Sequence, residues 1–143
     1  MIGILIALIS GALMSVQGVF NTQVTKVTGI AVSNTWVQFS AFIVCIAIWL
    51  FTGRESFGEL AKVEPRYLLI GGAIGAGITW TVIKSMDQLG PARAALLIVF
   101  SQLIIAYIIE VFGWFGVEKQ PLEWRRIGGM VLALIGVTIF QWK

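Results

Sequence analysis

Apolar residues fall into five long stretches along this chain, at approximately 2–24, 31–52, 67–86, 91–113 and 124–142, and polar residues are confined to the breaks and to narrow stripes within the stretches. Each stretch is close to the roughly 20 residues that cross the hydrocarbon core of a bilayer. A backbone N–H or C=O left unbonded in lipid is costly, so each stretch is expected to be a helix. The expected fold class is therefore all-α integral membrane, with five transmembrane helices forming a single domain over residues 1–143.

The breaks between the stretches are short. The longest, 53–66, contains Ser56-Phe57-Gly58-Glu59, a capping-box pattern that predicts a brief interfacial helix with Phe57 and Leu60 toward the membrane. An ordinary loop is the alternative there. In "SMDQLGPAR" (85–93), Gly90 can close one helix and Pro91 can open the next at its first turn, so the third and fourth stretches are expected to form an antiparallel hairpin. Trp49, Trp114, Trp124 and Trp142 lie close to the ends of stretches, as interfacial tryptophans do, whereas Trp80 lies deeper.

Residues three and four apart share a helix face, which sorts the internal polar groups into stripes. In the first stretch one stripe reads Gly3, Ala7, Ser10, Met14, Gln17 and Asn21. The second carries Asn34, Gln38, Ala41 and Cys45, and the fourth places Gln102 near mid-bilayer with Ala106 and Glu110 on about the same face. Two readings are open. Intramembrane amides can be interhelical glue, worth only about 0.6–2 kcal/mol per hydrogen bond, or they can line a polar cavity that marks a substrate path. On the second reading Gln17 and Gln102 lead, and Asn21, Ser10, Asn34, Gln38 and Trp80 complete the candidate substrate-binding set.

Glu110 is the acid lying within a stretch, about two turns from mid-depth, where water can reach it. It is the candidate coupling residue, and pairing with an interfacial cation is the alternative. Lys84 is expected to snorkel to the interface. Small residues supply a further pattern: Gly71 and Gly75 in the third stretch, and Gly129, Ala133 and Gly136 in the fifth, give small-xxx-small faces suited to close helix contact, here assigned to a dimer interface.

Composition agrees with a membrane protein, at 58% hydrophobic, 12% charged and a mean hydropathy of +0.93. A cleaved signal peptide is disfavoured for the first stretch, because no Lys or Arg precedes its apolar core. The absence of histidine and the single cysteine, Cys45, argue against a zinc site, a His-based triad and an internal disulfide. No cofactor and no metal are expected, and the chain does not read as an enzyme. A net charge of +3, carried mostly at the ends of the stretches, suits phospholipid headgroups as a partner better than nucleic acid.

Three segments, "VQGVFNTQV" (16–24), "LGPARAALLIVFSQLIIAYIIEVFGWFG" (89–116) and "EKQPLEWRRIGGMVLALIGV" (118–137), resemble the YdcZ-type branch of the drug/metabolite transporter superfamily. They cover the first, fourth and fifth stretches, and the other two agree in length and order. Members of that family carry Gln-x-x-x-Asn in the first helix, matched by Gln17 and Asn21, and a Gly-Gln pair in the fourth, where this chain has Ser101-Gln102. Their fourth helix ends in Asp-His-Phe-Gly. Here the residues are Glu110-Val111-Phe112-Gly113, which keep the acid and lack the imidazole. The resemblance implies a five-helix protein of the bacterial inner membrane, equivalent to one half of a ten-helix drug/metabolite transporter.

The function expected on these grounds is a small secondary transporter that moves a polar solute or metabolite by alternating access. A non-transporting membrane subunit that stabilises or regulates a partner is the alternative. With five spans the termini lie on opposite sides, and charges then divide as Arg54, Lys62, Arg66, Lys119, Arg125 and Arg126 on one face against Lys26, Lys84, Arg93 and Lys143 on the other. That bias is weak, so insertion in both orientations is open. Inverted repeats build a substrate site at a pseudo-two-fold interface, and a chain with one repeat can build it by pairing with an inverted copy, as an antiparallel homodimer. A parallel oligomer of uniform orientation is the alternative.

Overall fold

The computed structural model describes residues 1–142; Lys143, counted above among the charges of one face, lies outside them. Five α-helices follow one another: α1 (Ile2–Thr28), α2 (Ile30–Thr52), α3 (Gly71–Leu89), α4 (Pro91–Phe112) and α5 (Trp124–Gln141). Short 3-10 helices at Phe57–Lys62, Arg66–Ile70 and Trp114–Gly116 fill the connections. The chain divides into two compact units, Met1–Gln88 and Leu89–Lys143.

Four helical segments are long and apolar enough to cross a membrane: Ile2–Thr28, Ile30–Thr52, Arg66–Leu89 and Pro91–Phe112. The fifth expected span differs for a physical reason. α5 begins Trp124-Arg125-Arg126, and its apolar part, 127–140, rises only about 21 Å against a core of about 30 Å.

Single glycines make two of the helix connections. Gly29 has φ 83° and ψ 157°, a conformation open essentially to glycine alone. Its N–H bonds the Thr25 carbonyl while its own carbonyl accepts from Ser33 N, so one residue ends α1 and starts α2. α1 thereby runs one turn past the expected end. Gly90 repeats the geometry, with φ 81° and ψ 157°, ahead of Pro91 in the first turn of α4. Between α2 and α3 the capping box forms by half. Ser56 Oγ accepts from Gly58 N at 3.1 Å, but Glu59 turns to Lys62 at 2.7 Å instead of reaching back to the cap. Phe57 packs on Trp49 with ring centroids 4.9 Å apart.

Burial is sparse, as expected where lipid rather than protein covers the apolar surface. Among the described residues the buried apolar side chains are Ile83, Met86, Ala94, Tyr107 and Val137. In the first unit, α1 and α2 meet around three buried polar residues, Asn21, Thr22 and Ser33. Ser33 Oγ donates to the Asn21 carbonyl at 3.1 Å, and Thr22 Oγ1 donates to the Gly18 carbonyl at 2.8 Å. α3 approaches α1 at Gly18. A Cβ placed there would come within 2.6 Å of Met86 Sδ and Cε and within 3.4 Å of Val82 Cγ1.

Gly18→Val is therefore expected to destabilise the protein by about 1–3 kcal/mol through overpacking. Met86→Ala should restore part of that loss in the double variant, because the two sites share one contact. Thermal unfolding of the four proteins in detergent measures the coupling; additive effects would contradict the close approach.

Candidate solute site

The amides of the two pairs spaced i, i+4 divide by what they touch. On α2, Asn34 Nδ2 donates to the Ala76 carbonyl at 3.3 Å and Gln38 Nε2 donates to Thr79 Oγ1 at 3.1 Å. Thr79 Oγ1 in turn donates to the Gly75 carbonyl at 3.1 Å. Both α2 amides thus fasten α2 to α3, the role of interhelical glue.

The α1 pair behaves differently. Gln17 is exposed and makes no hydrogen bond; the Asn21 side chain makes none either, although the residue is only 9% exposed. Leu13, Met14, Val16, Gln17, Phe20 and Asn21 line one groove of about 420 Å³. Gln17 is two residues from the midpoint of α1, about 3 Å along the axis. No charged side chain lines this groove.

In the second unit, Gln102 stands at the midpoint of α4, exposed and without a hydrogen bond. Ser10 donates to its own helix at the Ile6 carbonyl, 2.9 Å, and Trp80 is 38% exposed with no polar partner. A Cβ at Gly71, Gly75, Gly129 or Gly136 would meet nothing within 4 Å, so the chain itself leaves these small faces open.

Glu110 has a partner that the sequence reading left unnamed. Its Oε2 accepts from Arg126 Nη1 at 2.9 Å, and Arg126 Nε lies 3.5 Å from Glu123 Oε2. The Arg126 guanidinium also sits 5.9 Å from the centre of the Tyr107 ring. The Tyr107 hydroxyl accepts from Glu123 N at 2.8 Å and donates to the Glu123 carbonyl at 3.4 Å. Tyr107 and Arg126 escaped the sequence reading. The available signal was Tyr107 lying three residues before Glu110 on one face of α4, with two arginines opening the next helix.

A family model described as "Putative inner membrane exporter, YdcZ" matches residues 2–139. The chain belongs to the YdcZ family. Inner membrane protein YdcZ of Escherichia coli (strain K12) is 28% identical to it over 92 residues, covering 64% of this chain and 61% of that protein. No solved structure matches the chain. Membership of the YdcZ family, together with several apolar helices of membrane-crossing length, makes this a multi-pass protein of the inner membrane. The family description names an inner membrane exporter and no enzyme activity.

If the α2 amides are fasteners, Gln38→Leu should cost about 0.6–2 kcal/mol of stability. Combined with Thr79→Val it should cost little more, since both changes remove the same bond. Chemical or thermal unfolding in detergent checks this; full additivity would remove the bond from the account.

Proposed function

We propose that this chain is the repeat unit of a small exporter that carries a polar solute by alternating access, with α5 as a fifth span and an inverted second copy completing ten helices. The observation that carries the reading is the set of unpaired amides: Gln17 and Asn21 on one groove, and Gln102 at the middle of α4. An amide without a partner in hydrocarbon is costly, so these groups call for water, solute or a partner chain. The description of the family as an exporter supports transport. The open glycine face of α3, at Gly71 and Gly75, supports a close protein contact. An inverted second copy would offer these amides a partner chain near mid-depth, the arrangement that inverted repeats use.

The other reading, a non-transporting subunit, draws on the α2–α3 hydrogen bonds, in which amides act as fasteners alone. Flux separates the two. In reconstituted vesicles on a solid-supported membrane, a solute-dependent signal is expected. Gln102→Leu should reduce it by at least about tenfold, since a site built to hydrogen-bond its ligand loses that order when the amide is removed, while the unfolding temperature stays close to that of the parent. A stable variant with unaltered flux would reject Gln102 as a solute ligand, and an unfolded one would favour glue.

Orientation is checked independently. In a Cys45→Ala background, one cysteine added at the C-terminus is expected to react with an impermeant thiol reagent in part of the molecules in sealed cells, and in the rest after permeabilisation. Labelling confined to one side in every molecule would eliminate the antiparallel dimer.

A further inference from the structure

Between α4 and α5 lies a second cavity, of about 340 Å³, that the solute reading leaves unused. Its walls are apolar, from Leu103, Ala106, Gly129 and Met130, and its rim is charged, from Glu110 and Arg126. The rim stands at the last turn of α4 and the first turn of α5. Trp114 follows the end of α4 and Trp124 opens α5, and tryptophans at helix ends mark the headgroup level in a membrane protein. Polar at the interface and apolar beneath, the groove has the profile of a phospholipid in its own leaflet.

Charge selects the headgroup. The charged residues lining the groove are one carboxylate, Glu110, and one guanidinium, Arg126, with Glu123 Oε2 3.5 Å from Arg126 Nε beside them, so the rim offers one site for a cation and one for an anion. Arg125 and Lys119 make no ion pair among the described residues. Glu110, Arg126 and the adjacent Glu123 are 41–46% exposed and so within reach of a headgroup. An anionic headgroup would match Arg126 and leave Glu110 beside it unmatched. A headgroup carrying both phosphate and ammonium would set its phosphate on Arg126 and donate from its ammonium to Glu110 and Glu123, each a charge-assisted hydrogen bond. A trimethylated ammonium has no N–H to give.

We propose that the α4–α5 groove is a binding site for a membrane phospholipid with a primary-ammonium headgroup, its acyl chain lying along Leu103, Ala106 and Met130 and its headgroup bridging Arg126 and Glu110. This site is separate from the Gln17 groove, and it stands or falls without reference to transport.

The test uses the full chain purified in a maltoside detergent, with thermal unfolding followed by tryptophan fluorescence during titration with phosphatidylethanolamine, phosphatidylcholine and phosphatidylglycerol of identical acyl chains. Phosphatidylethanolamine should raise the unfolding temperature at the lowest concentration of the three. Glu110→Gln should weaken its apparent affinity by about tenfold, the loss of one charge-assisted bond. Ala106→Phe, which fills the groove and leaves the ion pairs intact, should abolish the preference. Where a variant does not fold, lipid retained by the parent protein through purification and quantified by mass spectrometry decides, with enrichment of the ethanolamine lipid over its membrane proportion as the expected result. Equal shifts from all three lipids, no shift from any, a full response in folded Ala106→Phe, or the same shift from soluble phosphoethanolamine would each overturn the proposal.

Discussion

In hydrocarbon every polar group needs a partner, and that constraint organises the molecule more than apolar packing does. Hydroxyls meet it locally: Ser10, Ser15, Thr22, Thr28, Thr35, Thr52, Thr79, Thr81 and Thr138 each donate to a carbonyl four residues back in their own helix. A serine or threonine in a span therefore says little about binding, Ser10 included. The candidate amides divide instead into Asn34 and Gln38, whose nitrogens bond across helices although Asn34 Oδ1 is buried and unbonded, and Gln17, Asn21 and Gln102, which make no side-chain hydrogen bond. That division is the main functional information in the structure.

The same constraint explains the thin core. Apolar burial between helices gains little when lipid tails are as apolar as leucine, so association depends on a few close approaches and interhelical bonds. Gly18 against Met86, and Ser33 against the Asn21 carbonyl, are such points in the first unit. Gly18 and Asn21 lie within one turn of Gln17 on α1, so the most closely packed part of that helix is also the part that carries the unpaired amides.

Much of the fold was legible because its determinants are local. Apolar length marked all five helices, and Gly90-Pro91 marked where α3 ends and α4 begins. The true end of α1 was less visible, because the polar residues 22–28 read as an exit whereas Gly29, the one residue able to take φ 83°, sets the boundary. The site was half legible. Gln17/Asn21 and Asn34/Gln38 have the same spacing in sequence, and only the position of α3 tells a fastener from an open group. Tyr107 meets Glu123 and Glu110 meets Arg126, each across 16 residues of chain, through a connection whose path sequence periodicity does not describe.

That cluster also bears on whether α5 can span the bilayer. Its 127–140 stretch falls about 9 Å short of the hydrocarbon core. A span that short needs local thinning, snorkelling cations or a protein neighbour. Arg126 is held by Glu110 on the neighbouring helix, so its charge stays level with the end of α4 and its stem covers the first turn of α5. The ion pair ties the first turn of α5 to the last turn of α4, so a fifth span built on α5 would start level with the end of α4. On the proposed lipid site, a headgroup sharing the pair would hold the arginine at that level, and lipid and ion pair would together anchor the shortest of the five α-helices.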